Sequence, residues 1–228
     1  SGLIADADPV VEEPETFAEV SIAARGFFAL DLLLFDPDYA GYGPQDYTCG
    51  LIRAIARDLD RQAGTLEGDW DSFAQVLLTA GEPSNATYLG QDEAVRAIYT
   101  QILSGLEFTA DTRLGRPLGT YDRPRPARAE ARRSGRSLQN AVLSVDAAAD
   151  LAHALSDDDL PLTDAALAKV HQAAERVADP AFQDIDDPRQ RIHVEVLQQA
   201  VRAVKAAIEQ EIGLALGIAP GFNSQDGD

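Results

Sequence analysis

The sequence of 228 residues has no methionine, one cysteine, one tryptophan and three histidines. Because Cys49 has no second cysteine to pair with, no disulfide can form within the chain, and the cysteine content does not indicate a compartment. The longest apolar run, residues 29–35, falls far short of the roughly 20 residues that a spanning helix needs, and it contains Asp31. We therefore expect no transmembrane segment. Since the chain does not open with methionine, we expect that a signal peptide or lipoprotein anchor has been removed upstream.

Basic residues are also scarce, with 19 Lys and Arg against 38 Asp and Glu and a formal net charge of -19. This balance would repel a phosphate backbone or an anionic bilayer, so we expect no nucleic-acid partner. It fits cations and basic ligands better. An acidic surface that serves only solubility explains the same composition.

Hydrophobic residues make up 45% of the chain, which is enough for a packed core. They recur at helical spacing, whereas alternating runs rich in Val, Ile and Thr are hard to find. These patterns predict an all-α protein, a helical bundle or bundles with about six substantial helices. We expect a linker or tail over 1–14, a first helical part over 15–112, a long irregular connection over 113–127 and a second helical part over 128–228.

Apolar periodicity and helix-breaking residues place the individual helices. Asp36-Pro37 should end the first helix, Thr163 is the expected N-cap of another, and Gly217 is the expected C-cap of the last. The expected ranges are 15–35, a helix from about 47 to 66, a short separate helix over 70–80, then 92–112, 128–155, 163–178 and 189–216.

Asp31 is a carboxylate surrounded in sequence by Phe and Leu residues, so we expect it to be at least partly buried. An unpaired buried carboxylate is costly, and it therefore needs an arginine, a metal, hydrogen-bond donors or a raised pKa. A structural ion pair satisfies the same need.

Eight of the 19 basic residues are arginines that lie within residues 113–136. In the predicted helix over 128–155, Arg133 and Arg136 stand three residues apart and could direct their guanidinium groups to one carboxylate ligand. Ser137 adds a hydroxyl beside them. A solvated face that pairs with the acidic remainder of the protein explains the cluster equally well.

Glu107 and Asp111 stand four residues apart, close to a predicted apolar stripe. Two carboxylates at this spacing could hold a hard cation, or they could pair with Arg113. The three histidines fall on three separate predicted helices, which gives a histidine metal site little support. The sequence also lacks a Gly-x-Ser-x-Gly motif and a phosphate-binding glycine loop.

Residues 26–35, 105–108, 132–138 and 221–228 form four segments that together resemble the imelysin family. Residues 26–35 (GFFALDLLLF) are similar to the family signature Gly-x-His-x-x-Glu followed by Leu-Leu. Residues 105–108 (GLEF), 132–138 (RRSGRSL) and 221–228 (GFNSQDGD) are similar to other family segments, and the last resembles the usual family ending. The order and spacing of the four agree over residues 17–228.

The resemblance implies a periplasmic or cell-envelope protein of two helical bundles, from a family associated with bacterial iron uptake and also classed as metallopeptidases. The motif histidine falls on Phe28, which can neither ligate a metal nor move a proton, and the motif glutamate falls on Asp31. We therefore expect a non-catalytic binding or accessory component of iron uptake. Its expected polar pocket is lined by Asp31, Glu107, Arg133, Arg136, Ser137 and Phe28.

The expected ligand is iron, another divalent cation or an iron chelate, and uptake components are the expected protein partners. Two alternatives remain: a metallopeptidase that uses Asp31 and a second carboxylate around a metal, and a structural or protein-interaction module. The family also has helices upstream of its signature, so we expect an N-terminal half that is missing or forms a separate chain.

Overall fold

The computed structural model describes residues 2–217, and its regular structure is helical, with no β-strand in this range. Six helices have nine residues or more, which confirms the predicted all-α class and the number of substantial helices. The helices are α1 (Gly2–Asp6), α2 (Pro14–Phe17), α3 (Phe27–Phe35), α4 (Tyr47–Leu78), α5 (Gln91–Glu107), α6 (Gly115–Leu118), α7 (Ser137–Leu155), α8 (Pro161–Ala174) and α9 (Pro188–Ile208).

The chain folds into two compact units, and the boundary between them lies between Leu78 and Thr79. The division predicted from sequence, a connection over 113–127, does not coincide with this boundary. None of the helices within residues 2–217 is long and apolar enough to span a membrane. The segment 221–228, which resembles the family ending, lies outside the described residues.

The first unit packs α1, α2 and α3 and a short 3-10 turn on the first half of α4. The prediction that residues 1–14 are a tail was wrong, because Val11 is buried in this core and Leu3, Ile4 and Val10 pack against it. The predicted helix over 15–35 was also wrong. It is interrupted after α2, and Gly26 adopts a φ of 82°, a left-handed conformation that suits glycine and precedes α3.

α4 is one helix of 32 residues, so the separate helix expected over 70–80 does not exist. Within its first half, Asp58 is a buried acid that binds three other side chains. Its carboxylate accepts hydrogen bonds from Arg61 (2.7 Å) and Gln62 (2.7 Å), and Arg25 lies 3.4 Å away. Burial raises the pKa of Asp58, but the hydrogen bonds and the two positive charges together outweigh it and lower the pKa below its ordinary value of 3.8.

Because the folded-state pKa of Asp58 is depressed, its contribution to stability is present above pH 3.8 and is lost as the pH falls through the lower folded value. We expect Asp58→Asn to destabilise the first unit by about 2 kcal/mol at pH 7, since charged hydrogen bonds are replaced by weaker ones. Urea unfolding of the wild type and the variant at pH 7 and pH 3 measures this. A difference that is as large at pH 3 as at pH 7 would contradict it.

The second unit is a four-helix bundle in which α5, α7, α8 and α9 surround one core. Its fully buried side chains come from all four helices and from the turns between them: Leu106, Leu114, Val145, Leu160, Val170, Phe182, Ile185, Val194, Leu197 and Ile208. The apolar stripes predicted for the helices over 92–112 and 189–216 supply part of this core.

Two of the bundle helices are extended by π-helical segments, Phe108–Leu114 after α5 and Glu209–Gly213 after α9. The first segment leads into α6, so residues 113–127 are not wholly irregular as predicted.

Thr163 is not the N-cap that the sequence predicts. α8 begins at Pro161, and the carboxylate of Glu211 from the second π-helical segment accepts hydrogen bonds from the Leu162 and Thr163 amides and from the Thr163 hydroxyl. A distant acid therefore satisfies the free amides at the start of α8. Gly217 does adopt a left-handed φ of 68°, as expected for a residue that ends a helix.

Candidate functional site

The six residues predicted to line a pocket lie on different parts of the fold. Phe28 and Asp31 belong to α3 in the first unit. Glu107, Arg133, Arg136 and Ser137 belong to the second unit.

Asp31 is 8% exposed, which confirms the predicted burial of this acid. Its neighbours Ala29 and Leu33 are core residues of the first unit. Phe28 is 63% exposed, so it is on the surface side of the helix that carries Asp31. A phenyl ring there offers neither a metal ligand nor a proton donor.

The predicted helical spacing of Arg133 and Arg136 was wrong, because α7 begins only at Ser137. The preceding residues form turns in which Ala131 and Gly135 have left-handed φ angles of 48° and 70°. Arg136 is exposed and precedes the first turn of α7, whereas Ser137 is buried and its hydroxyl donates to the Glu130 carbonyl (2.5 Å).

Arg113 pairs with Glu130, not with Glu107 or Asp111 as one reading of the sequence proposed. Its Nε lies 2.9 Å from Glu130 Oε1, and its guanidinium group also contacts the Ser144 hydroxyl. The Asn140 amide donates to the same Glu130 carboxylate (3.4 Å). This network ties the turns before α7 to the π-helical segment and serves the fold.

Glu107 lies in a charged cleft on the second unit. The cleft measures about 310 Å³, and its charged lining consists of Glu107, Asp111, Arg202, Lys205 and Glu209. Lys205 Nζ lies 3.4 Å from Glu107 Oε2 and 3.6 Å from Glu209 Oε1, while Arg202 donates to Asp111 (2.8 Å). The cleft therefore contains two cationic and three anionic side chains.

The Glu107 Oε2 atom is buried, yet it makes no hydrogen bond to any residue in the described range. The Lys205 ammonium approaches it as an ion pair without hydrogen-bond geometry. Buried polar atoms in folded proteins are almost always satisfied, so an atom of this kind marks a place where a ligand group or a water molecule can bind.

The two π-helical segments border this cleft. Glu107 is the last residue of α5 before one segment, and Glu209 is the first residue of the other. Such segments concentrate at functional sites, because the wider turn redirects side chains that an α-helix would hold in register. Burial, and to a lesser extent the Glu209 charge, raise the pKa of Tyr99 to about 12.

A second cleft of about 580 Å³ adjoins the first and shares Arg202 with it. It runs along α9 past Arg191, Glu195 and Gln198 towards α6. The buried Arg191 donates to Glu195 (2.6 Å) and to the Leu118 carbonyl (2.7 Å), and Gln198 donates to the Ala110 carbonyl (2.8 Å). These contacts hold α6 and the first π-helical segment against α9.

No group of three His, Cys, Asp or Glu side chains in residues 2–217 is arranged to hold a metal ion. Two of the histidines bind separate aspartates. His153 lies 2.9 Å from Asp164 Oδ1, and His171 lies 2.7 Å from Asp146 Oδ1.

Sequence reasoning missed Arg202, Lys205 and Glu209, which complete the cleft around Glu107. The signal was present in the sequence spacing, since Arg202 and Lys205 stand three residues apart on α9 and Glu209 follows four residues later, at the start of the π-helical segment. The prediction for this helix considered only its apolar residues and not its charged ones. Only the fold reveals that Glu107 and Asp111 face this charged side.

Searches of curated proteins and of solved structures gave no match to this chain. The family model for imelysin, peptidase family M75, matches residues 2–208. The match covers both units and includes α3 with Asp31, the cleft residue Glu107 and the turns before α7. The chain belongs to the imelysin family.

Proposed function

We propose that this imelysin-family protein is a non-catalytic, periplasmic binding or accessory component of bacterial iron uptake, and that its ligand binds in the cleft around Glu107. The observation that carries the proposal is the buried Glu107 Oε2, which accepts no hydrogen bond from any of residues 2–217 and lies in a cleft that also presents Arg202 and Lys205. The assignment to iron uptake and to the periplasm rests on the family resemblance.

The arrangement of charges favours an iron chelate over a bare iron ion. Glu107 and Glu209 already share Lys205, and a bare cation bound by these carboxylates would have to compete with its ammonium group. An iron chelate could instead place its carboxylates beside Arg202 and Lys205, which together offer more donors than Asp111, Glu107 and Glu209 use, while a hydroxyl group or water molecule of the chelate donates to Glu107 Oε2.

Phe28 supports a non-catalytic role. The family signature has a histidine at this position, and its imidazole could ligate a metal or transfer a proton. The exposed phenyl ring can do neither. Asp31 alone would leave a metal with too few ligands for hydrolysis of a peptide bond.

Isothermal titration calorimetry of the full chain with ferric citrate and with ferrous sulfate tests the proposal. We expect saturable binding of ferric citrate, weakened about tenfold by Lys205→Gln, because one charge-assisted contact is worth roughly 1.4 kcal/mol or more. Lys169→Gln is the matched control, since Lys169 is exposed on α8 and does not line the cleft.

Three results would contradict the proposal in different ways. Absence of ferric citrate binding would reject the chelate ligand. Equal loss of binding in the Lys205 and Lys169 variants would reject the cleft as the site. Ferrous ion that binds more tightly after Lys205→Gln would show that the carboxylates take a bare cation.

A further inference from the structure

Beyond the core of the first unit, α4 continues as an exposed helix. Residues up to Leu59 contribute to the core of this unit, but every residue from Asp60 to Phe73 is exposed. The helix nevertheless continues without a break to Leu78.

The composition of this exposed half does not by itself favour a free helix. It contains Gly64 and Gly68, and glycine lowers helix stability more than any residue except proline. Helices in proteins are stabilised mainly by packing of an apolar face, because isolated helices of this length are marginal in water. Packing against another surface would therefore stabilise this exposed part of α4.

An apolar seam runs along the exposed half of α4. Ala63, Leu66, Trp70, Phe73 and Leu77 follow one another at steps of 3, 4, 3 and 4 residues, the spacing of the contact positions in a coiled coil. Leu66 is 69% exposed, Trp70 58% and Phe73 41%. The seam is in line with Leu59, which packs against the core of the first unit.

The residues that flank this seam are acidic. Asp60, Glu67 and Asp69 occupy the flanking positions, whereas Arg61, the one basic residue between 60 and 78, points away from the seam in the heptad register. In a coiled coil, like charges at flanking positions repel, and opposite charges select the partner. Pairing of two copies of this helix is thus disfavoured.

We infer that the exposed half of α4 is a docking surface for a partner protein that presents an amphipathic helix with an apolar seam and Lys or Arg at its flanking positions. The apolar seam supplies the contact area, and Asp60, Glu67 and Asp69 select the basic partner. This inference does not depend on the ligand of the Glu107 cleft.

Fluorescence titration of the full chain tests the inference, because Trp70 is the only tryptophan. The probe is a helical peptide of three heptads without tryptophan, with Leu at the seam and Lys at the flanking positions. We expect a saturable blue shift of the Trp70 emission as the indole leaves water. The same peptide with Glu at the flanking positions should bind about tenfold or more weakly.

A double charge reversal identifies the surface. Glu67→Lys with Asp69→Lys should invert the preference between the two peptides, with the helical content unchanged by circular dichroism. Glu19→Lys with Asp38→Lys is the matched control, since both residues are exposed in the first unit and the net charge changes equally. This control should keep the preference for the Lys peptide.

Failure of both peptides to shift the emission would overturn the inference. The inference would also be overturned if both double variants changed the preference for the Lys peptide by the same amount. That result would mean that the Lys peptide is attracted to the overall negative charge of the protein. A dimer of the wild-type chain in sedimentation velocity that Leu66→Asp dissociates would show that a second copy is the occupant instead.

Discussion

Replacement of Phe182 by alanine is expected to destabilise the second unit by about 3–5 kcal/mol, the usual loss when a large aromatic side chain is removed from a packed core. Phe182 is completely buried, although it lies in the turn between α8 and α9 and not in a helix. Urea unfolding followed by circular dichroism measures the loss, since the four-helix bundle dominates the helical signal of this unit.

Phe182 also has an unfavourable backbone, with a φ of 58° in the left-handed region. A bulky residue is rare there and is held in place by its surroundings. We therefore expect Phe182→Gly to be at least as stable as Phe182→Ala, the reverse of the usual order in which glycine is worse. A glycine variant clearly less stable than the alanine variant would contradict this account of the turn.

The second large effect is expected at Arg191. Arg191→Met should cost about 2–4 kcal/mol, because it leaves the buried Leu118 carbonyl at the end of α6 without its donor. Arg191→Lys should recover part of this loss, since one ammonium group cannot satisfy both the Leu118 carbonyl and Glu195 in the same geometry.

Thermal and urea unfolding of the Arg191 variants provide the measurement, and Arg189→Met is the control. Arg189 is an exposed residue near the start of the same helix, and its substitution is expected to change stability by less than about 0.5 kcal/mol. An Arg191→Met protein as stable as the control variant would mean that the buried contacts at α6 contribute nothing.

The fold class could be predicted from the sequence because apolar spacing survives in each long helix. The stripe of the first half of α4 faces its core as expected, and so does the later part of the stripe predicted for α9, with Val204 and Ile208 buried. Its first two members, Ile192 and Val196, are exposed. Helix boundaries were less predictable where tertiary contacts decide them. Glu211 satisfies the start of α8 from 48 residues away, and no local pattern around Thr163 reveals it.

The candidate site was only half predictable, for a related physical reason. Glu107 and Asp111 stood out as neighbours on one helix, but their cations come from α9, more than ninety residues later. The arginines before α7 were noticed because they are numerous. The left-handed residues Ala131 and Gly135 interrupt the backbone there, so Arg133 and Arg136 do not share a helix face as expected. Charge clusters indicate a site only when the backbone that carries them is known.

The most direct test of the proposed ligand site is X-ray diffraction from crystals of the protein soaked in ferric citrate, measured above and below the iron absorption edge. The account predicts one anomalous difference peak in the cleft lined by Glu107, Lys205 and Glu209, with the citrate carboxylates directed to Lys205 and Arg202. A peak at any other position, or none under conditions that saturate binding in solution, would contradict it.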